Sequence, residues 1–259
     1  MAKRRRNKAA AFFLLTVLAA PTVARGADGV SVSAAVSLRD ALNDAWRPIG
    51  AEEQVEIVLN AAGSGTLLRQ IMQGAPVDLF ISASPAELDE LERAGLLVPG
   101  SRVTVATNRL VTILAPLGEP PVQFGDLAGP GITRVAIGNP RTVPAGRYAR
   151  EALVSTGLWE PLQDRLVYAE NVRQVVEYVA RGDVDAGLVY STDAELFRGR
   201  VRRGPEPPDG SYAPILYQAA ILNEATEKEA AGELLELLLT ERGRLTFRQY
   251  GFTLPAESP

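Results

Sequence analysis

Short apolar stretches of strand type alternate with amphipathic stretches of helix type along most of this chain. The first pair is a predicted strand, Val30–Ala35, and a predicted helix that opens at Ser37. Apolar residues recur in that helix at spacings of three and four, at Leu38, Ala41, Leu42, Ala45 and Trp46. Strands that alternate with helices indicate α/β architecture with largely parallel sheets, in which ligands bind at the carboxyl ends of the strands.

Two apolar segments predict chain crossings between two lobes. Residues 103–114 hold two apolar stretches separated near Asn108, and residues 213–222 form a further strand that begins just after Tyr212. We expect residues 27–108 plus 212–259 to form lobe 1 and residues 109–211 to form lobe 2. The two crossover strands would form a hinge, and hinged lobes close around ligands in many proteins.

Residues 1–26 are predicted to be a cleaved signal peptide. A basic start is followed by an apolar run, residues 9–23, and then by small residues that suit cleavage. The alternative is a membrane anchor, but a membrane span needs about 20 apolar residues. The chain has no Cys, which excludes a lipid anchor made through an N-terminal Cys. We therefore expect a periplasmic or otherwise extracytoplasmic protein. The basic residues of this segment are Lys3, Arg4, Arg5, Arg6, Lys8 and Arg25.

The composition excludes several classes of function. Removing those six basic residues takes the formal net charge from −4 to −10, which argues against nucleic acids and anionic membranes as partners. Any site for an anion must then be built locally. The chain has neither Cys nor His, so thiolate nucleophiles, imidazole bases and the usual zinc or copper ligands are missing. An enzyme would have little chemistry to use.

Four predicted strand-to-helix turns bring small or polar residues to the start of a helix. A helix N-terminus offers free N–H groups and a partial positive charge of about half a unit. Several such ends pointing inward would hold a dianion without a cationic side chain. Each of these features alone has an ordinary interpretation. Ser37 would be a helix cap with Asp40 as its capping-box partner. Tyr190, which ends a further predicted strand, would be an aromatic residue at the edge of the core. The turns are residues 34–38, 62–66, 143–146 and 170–173.

At these turns the chain resembles the periplasmic molybdate-binding proteins (ModA) of ABC-type importers. The strings at 74–83 and 143–149 are the most specific, and the resemblance runs through essentially the whole region after the signal peptide. It is carried by residues 34–38 (Ala-Ala-Val-Ser-Leu), 64–71 (Ser-Gly-Thr-Leu-Leu-Arg-Gln-Ile), 74–83 (Gly-Ala-Pro-Val-Asp-Leu-Phe-Ile-Ser-Ala), 143–153 (Val-Pro-Ala-Gly-Arg-Tyr-Ala-Arg-Glu-Ala-Leu), 170–173 (Glu-Asn-Val-Arg), 187–190 (Gly-Leu-Val-Tyr) and 248–252 (Arg-Gln-Tyr-Gly-Phe).

The resemblance implies a two-lobed periplasmic-binding-protein fold of type II and a site for molybdate. The expected ligands of the oxyanion are two serine hydroxyls, two backbone N–H groups and a tyrosine hydroxyl: Ser37, Ser64, Ala145, Val172 and Tyr190. It implies no cofactor, no metal except the molybdenum of bound molybdate, and a membrane permease as partner. We also expect a monomer. The second turn departs from the family, which is richer in serine there.

Donors without an acceptor favour a fully deprotonated dianion, because the O–H of a protonated anion would find no partner. The sequence does not separate molybdate from tungstate. One alternative function is a carrier for sulfate or another tetrahedral oxyanion. Others are an exported hydrolase with Ser37 or Ser64 as nucleophile, which lacks a recognisable base, and the sensing domain of a regulator. Arginines follow the turns, and we expect them on solvated faces or paired with acids between the lobes: Arg39, Arg69, Arg147, Arg150 and Arg173.

Overall fold

The computed structural model describes residues 29–52, 56–117 and 120–255, so the predicted signal peptide lies outside the described residues. The strands are β1 (Val30–Ala35), β2 (Ile57–Ala62), β3 (Leu79–Ser82), β4 (Val103–Asn108), β5 (Leu110–Leu114), β6 (Val135–Gly138), β7 (Leu166–Ala169), β8 (Ala186–Tyr190), β9 (Arg202–Arg203) and β10 (Ile215–Ile221).

The α-helices are α1 (Arg39–Glu52), α2 (Ser64–Met72), α3 (Pro85–Arg93), α4 (Pro144–Ser155), α5 (Trp159–Leu162), α6 (Val172–Arg181), α7 (Ser191–Leu196), α8 (Lys228–Leu239) and α9 (Glu241–Gln249). Short 3-10 turns cover Val36–Leu38, Phe124–Ala128 and Gln163–Arg165. Within the described ranges, no helix combines the length and the apolar character that a bilayer crossing requires.

Two five-stranded mixed sheets form two lobes. The first sheet has the order β2-β1-β3-β10-β4 and the second has the order β7-β6-β8-β5-β9. In each sheet three neighbouring strands run parallel. The next strand in the sheet is antiparallel to them: β10 pairs with β3, and β5 pairs with β8. This is the α/β, two-lobed type II architecture that the sequence predicted.

The helices cover the sheets with the faces that the sequence pattern predicted. In α1 and the 3-10 turn before it, the five predicted apolar positions from Leu38 to Trp46 are all buried, and the Trp46 indole N–H donates to the Leu234 carbonyl at 3.1 Å. In α6 four valines are buried on one face, and Ala180 is half-buried beside them. Burial of these side chains against the sheets supplies the main apolar stabilisation of both lobes.

A buried carboxylate ties the last part of the chain to the first sheet. Asp78 is 4% exposed, and its carboxylate accepts backbone N–H groups from Ser31, Thr226 and Glu227 at 2.8, 2.8 and 3.1 Å. Charge-assisted bonds of this kind are stronger than neutral ones. The segment before α8 is therefore fixed to β1 and β3, which gives the Asp of the 74–83 string a structural role.

The first crossing between the sheets passes through a single residue. β4 ends at Asn108, β5 begins at Leu110, and only Arg109 separates them. The return crossing lies beside it, since the Leu110 N–H donates to the Tyr212 hydroxyl at 3.0 Å. The two connections between the sheets therefore lie side by side, near Arg109 and Tyr212.

Three local features lie outside the main alternation of strands and helices. The helical region near the C-terminus is divided into α8 and α9, because Thr240 takes an extended ψ of 160° and its hydroxyl accepts the Gly243 N–H to start α9. The short strand β9 pairs with β5. The segment between β5 and β6 contains a 3-10 turn, Phe124–Ala128, whose Phe124 and Leu127 are buried.

Two glycines inside helices, Gly146 in α4 and Gly232 in α8, provide a test of how tightly α4 packs against β6. A Cβ at Gly146 would lie 1.9 Å from the Gly138 carbonyl oxygen, whereas a Cβ at Gly232 would have its nearest neighbour at 3.9 Å. We expect Gly146→Ala to lower the free energy of unfolding by at least about 2 kcal/mol, because β6 and α4 would have to separate. Gly232→Ala should raise it by about 0.5 to 1 kcal/mol, because alanine favours the helix.

Urea denaturation of both variants beside the parent chain measures these changes. The two substitutions are chemically identical and both lie in helices, so helix propensity alone cannot produce opposite signs. Equal stabilisation by both would show that α4 does not approach β6 as closely as described.

Candidate functional site

A small cavity lies between the lobes at the carboxyl ends of the parallel strands. Every one of its lining residues is the last residue of such a strand or lies in the segment that follows one. Strands β1, β2 and β3 contribute from the first lobe, and β6, β7 and β8 contribute from the second. The lining residues are Ala35, Val36, Ser37, Ala62, Gly63, Ser64, Ala83, Val143, Pro144, Val172 and Tyr190.

The cavity is compact. It leaves about 10 Å³ for the centre of a water-sized sphere, which is close to the least space that holds one water. A groove of about 450 Å³ on the same measure adjoins it and shares Ala62 and Gly63. In this arrangement of the lobes the cavity suits only a ligand of a few atoms.

The structure brings four of the five predicted site residues to this one cavity: Ser37, Ser64, Val172 and Tyr190. Ala145 is fully buried and is not itself in the lining, but Pro144, the residue before it, is. The first two residues belong to the first lobe and the other three to the second. Six separate segments of the chain, three from each lobe, line this one small space.

Ser37 lies in the 3-10 turn between β1 and α1 and is 4% exposed. The predicted capping box with Asp40 is wrong. The Ser37 hydroxyl lies 3.0 Å from the Tyr217 hydroxyl instead, and the Asp40 carboxylate pairs with Arg173. The 3-10 turn leaves the Ser37 side chain at the cavity rather than over the backbone of its own helix.

Ser64 is the first residue of α2, and Gly63 takes the N-cap position. Ser64 is fully buried, and its Oγ accepts the Ala83 N–H at 3.1 Å. A hydroxyl that accepts from a backbone N–H keeps its own hydrogen available. Ser64 is thereby prepared to donate into the cavity.

Two helices of the second lobe present their first N–H groups near the cavity. Ala145 follows Pro144, the first residue of α4, and Val172 is the first residue of α6. Neither N–H makes a hydrogen bond within the described residues. Asn171 caps α6 by accepting the Gln174 N–H at 3.0 Å. Unpaired N–H groups at a helix start attract negative charge.

Tyr190 ends β8 and is 1% exposed. Its ring packs edge-on against Tyr217, with centroids 5.8 Å apart. Its hydroxyl is buried and has no hydrogen-bond partner among the described residues. Burial raises the pKa of Tyr190 well above its ordinary value, with smaller contributions from neighbouring groups, so this hydroxyl remains a donor.

No cationic side chain is among the lining residues. Two arginines of the turn segments are engaged in ion pairs between the lobes. Arg147 lies 2.6 Å from Glu87, which is 2% exposed, and Arg173 lies 2.9 Å from Asp40. For these two arginines the predicted pairing with acids between the lobes is confirmed.

Arg173 also neutralises a carboxylate inside the second lobe. Its Nε lies 2.8 Å from Oδ1 of Asp193, which is fully buried in α7. Burial raises the pKa of Asp193 to about 6, and the Arg173 charge partly opposes that rise. A single guanidinium thus joins α1 of one lobe to α7 of the other, directly after the Val172 N–H.

The lobes also touch through their backbones. The Gly65 N–H donates to the Thr142 carbonyl oxygen at 3.0 Å. A Cβ at Gly65 would lie 2.8 Å from that oxygen, and a Cβ at Gly63 would lie 3.0 Å from the Glu170 oxygen. Glycine at both positions is therefore what allows the two lobes to meet around the cavity.

The serine hydroxyls of the site are hydrogen-bonded to neutral groups. The two serine hydroxyls have a phenol and a backbone N–H as their hydrogen-bond partners, and neither has a carboxylate or an amine as a partner within the described residues. Among the same residues, no group of three or more acidic side chains has the arrangement of a metal site. The arrangement can bind an anion by hydrogen bonds.

The residues that support these donors were not predicted from the sequence. Tyr217 forms a hydrogen bond with Ser37 and another with Asn108, and the Ala83 N–H donates to Ser64. Tyr217 is the only aromatic residue in the apolar strand β10, where a buried hydroxyl needs a partner. That signal was available in the sequence, whereas the Ala83 contact joins residues 19 apart and depends on the fold.

Two α/β lobes that enclose a donor-lined cavity at the ends of their strands define a solute-binding protein. A sequence model of the family described as bacterial extracellular solute-binding protein matches residues 30–253, and the chain belongs to that family. The resemblance to ModA is confirmed by its relatives.

YvgL of Bacillus subtilis is 35% identical over 226 residues, 86% of each chain. Molybdate-binding protein ModA of Escherichia coli is 34% identical over 234 residues, 87% of this chain and 89% of that protein. The solved structure of the periplasmic molybdate-binding protein of Azotobacter vinelandii superposes with a TM-score of 0.76 at 27% identity, covering 87% of this chain and 99% of that one.

The raised pKa of Asp193 predicts how Asp193→Asn changes the pH dependence of stability. The folded chain keeps this proton up to about pH 6, while the unfolded chain releases it near the ordinary value of 3.8. Stability from this group is therefore present at low pH and is lost as the pH rises from about 4 to about 6. The unfolding free energy of the parent chain, relative to the variant, should fall by about 3 kcal/mol over that range.

Urea denaturation of both chains at matched pH values measures the difference, and other titrating groups cancel in it. Above about pH 6 the difference should be constant. A difference that instead grows with pH would mean that the Arg173 ion pair, rather than burial, dominates the titration of Asp193.

Proposed function

We propose that this protein captures molybdate, and also tungstate, outside the cytoplasm and delivers the ion to an ABC-type import permease. The five proposed ligands of the oxyanion are the hydroxyls of Ser37, Ser64 and Tyr190 and the N–H groups of Ala145 and Val172. The only metal involved is the molybdenum or tungsten of the transported ion, and the protein acts without a cofactor and without catalysis.

One observation carries this proposal. Tyr190 lines the cavity, and its buried hydroxyl has no hydrogen-bond partner among the described residues. A buried polar group without a partner costs about 1 to 3 kcal/mol. A ligand with an acceptor oxygen in the cavity would remove that cost, so the unpartnered hydroxyl supports an oxyanion as the missing partner.

The other groups around the cavity support the same chemistry. Ser64 accepts from Ala83 and keeps a hydrogen to donate, and the helix starts at Ala145 and Val172 supply further donors. A set of donors without a cation or an acceptor suits a fully deprotonated dianion. The small size of the cavity suits a compact, tetrahedral ion better than an organic anion.

The choice of molybdate over sulfate rests on the relatives. The Escherichia coli and Azotobacter vinelandii proteins are named for molybdate binding, and they cover most of the chain. Sulfate has the same charge and shape as molybdate but is smaller. If the closed lobes always meet at the same distance, some donors of the cavity would not reach the sulfate oxygens. A sulfate carrier is the alternative that the titration below tests.

Capture would proceed by closure of the lobes about the two crossings. We propose that residues 27–108 plus 212–259 and residues 109–211 move as the two lobes, with the hinge at Arg109 and near Tyr212. The ion pairs Arg147–Glu87 and Arg173–Asp40 then hold the closed form, since a ligand that contacts both lobes favours the state in which they meet.

Residues 1–26 are proposed to direct export and to be removed, which leaves an acidic protein with a formal net charge of −10. That charge supports a protein without nucleic-acid partners. We propose that it works as a monomer whose partners are the oxyanion and the permease. The name of the Azotobacter relative, a periplasmic protein, supports an extracytoplasmic location.

Isothermal titration calorimetry of residues 27–259 tests the ligand. Molybdate and tungstate should bind with similar affinity, sulfate at least about tenfold more weakly, and phosphate more weakly still, because its remaining proton finds no acceptor. Molybdate at 100 times its dissociation constant should raise the unfolding free energy by about 2.7 kcal/mol. Sulfate binding as tight as molybdate binding would overturn the choice of ligand.

Tyr190→Phe provides the sharper test, because two measurements should move in opposite directions. Without ligand, removal of an unpaired buried hydroxyl should leave stability unchanged or raise it by up to about 1 kcal/mol. Molybdate affinity should fall about 10- to 100-fold, because a hydrogen bond to a charged group contributes about 1.5 to 3 kcal/mol.

Tyr250→Phe is the matched control. The Tyr250 hydroxyl donates to Asp44, away from the cavity, so its removal should lower stability and leave molybdate affinity unchanged. Urea denaturation and calorimetry give both quantities for each variant. A Tyr190→Phe protein that is less stable yet binds molybdate normally would assign this hydroxyl to the fold.

A further inference from the structure

A chain of hydrogen bonds leads from the crossing between the lobes to the Ser37 hydroxyl. Tyr217 is fully buried on β10, and its hydroxyl lies 3.0 Å from Ser37 Oγ. On its other side, Asn108 Nδ2 donates to the same hydroxyl at 3.3 Å. Tyr217 is not among the residues that line the cavity, so its hydroxyl can act on a ligand there only through the side chain it bonds, Ser37.

The orientation of the Asn108 amide fixes the direction of this chain. Its Oδ1 accepts the Arg109 N–H at 2.8 Å, so its nitrogen faces the other way, toward Thr192 Oγ1 at 3.0 Å and Tyr217. An amide nitrogen donates only. The Tyr217 oxygen therefore accepts from Asn108, and the phenol hydrogen is left for Ser37.

The phenol is also held in its protonated form. Burial raises the pKa of Tyr217 far above its ordinary value, and hydrogen bonds to Ser37 and Asn108 oppose that rise only in part. A protonated phenol whose oxygen already accepts one hydrogen bond acts as a donor toward its second neighbour. Ser37 Oγ consequently accepts from Tyr217.

The hydroxyl hydrogen of Ser37 then has no acceptor in this chain of hydrogen bonds. Its Oγ has no other hydrogen-bond partner within the described residues, and Ser37 lines the cavity. The serine hydrogen therefore points to the ligand space. The Ser64 hydroxyl is likewise left as a donor, because its oxygen already accepts the Ala83 backbone N–H.

We propose that Tyr217 is a specificity-determining positioning residue: it fixes Ser37 as a donor and so excludes oxyanions that carry a proton. This inference rests on the proposed function, because it requires an oxyanion in the cavity. Without the phenol hydrogen, Ser37 Oγ would be free to accept, and the O–H of a protonated anion would find a partner. Loss of Tyr217 should thus weaken binding of a bare dianion and relax the exclusion of a protonated one.

Tyr217→Phe tests the proposal, because the ring can keep its edge-on packing against Tyr190 and Phe252. Calorimetry is done with molybdate and, above neutral pH, with inorganic phosphate, which is then a dianion that keeps one proton. Molybdate affinity should fall about 5- to 20-fold, in proportion to a partly lost charged hydrogen bond. Phosphate affinity should hold or rise, so the ratio of the two affinities should fall at least about tenfold.

A double-mutant cycle with Ser37→Ala shows whether Tyr217 acts through Ser37. In the Ser37→Ala background the Tyr217→Phe change should have no further effect on either ligand. Tyr250→Phe, which removes a phenol hydroxyl outside this chain, should leave the ratio unchanged. Asn108→Ala, which removes the donor that sets the direction of the phenol, should shift the ratio in the same sense as Tyr217→Phe and serves if that variant does not fold.

The outcomes separate this inference from the proposed function. If the parent chain does not bind molybdate, the proposed function fails. If the parent chain binds molybdate but Tyr217→Phe leaves the molybdate-to-phosphate ratio unchanged, or acts equally in the Ser37→Ala background, the role of Tyr217 is overturned. A fall in both affinities by the same factor also overturns it, since that is the effect of a merely structural residue.

Discussion

The backbone hydrogen bond from Gly65 to Thr142 sets how near the two lobes lie. It brings the start of α2 against the turn before α4, which only a residue without a side chain permits. At that distance Ser37 and Ser64 of one lobe and Val172 and Tyr190 of the other surround a single space. Ion pairs of Arg147 and Arg173 across the same cleft depend on the same approach, because their side chains reach acids of the first lobe only when the backbones meet.

The balance of charge in the site follows from this geometry. Arg147 and Arg173 each face a carboxylate across the cleft, and the residues that line the cavity offer hydroxyls and backbone N–H groups instead of cations. In a space with little water such fixed dipoles act strongly on a charge, because little solvent screens them. They also act selectively, since donors must point at oxygens in defined positions. A neutral cavity of this kind distinguishes ions by shape and protonation, whereas a cluster of free arginines would attract any anion.

Much of the fold and of the site follows from the sequence, and the remainder depends on contacts between distant residues. The buried apolar face of α1 and the ends of the strands could be predicted, because each depends on the spacing of residues that are close in sequence. The break at Thr240 could not, because residues 227–250 keep a helical pattern across it and the turn is set by packing around Gly243. The capping box at Ser37 failed for a similar reason: Tyr217, 180 positions away, competes for its hydroxyl. Local patterns located the donors, but only the assembled fold shows what orients them.

The position of β10 has a consequence for the order in which the chain folds. All strands of the second sheet come from Leu110 to Arg203, so all of its strand pairs can form once that stretch has been synthesised. The first sheet needs β10, which lies between β3 and β4 and comes from Ile215–Ile221. Since β4 pairs with no other strand of that sheet, its edge stays open until nearly the entire chain has emerged. Pairings over so many residues form slowly, so the lobe that begins first is completed last.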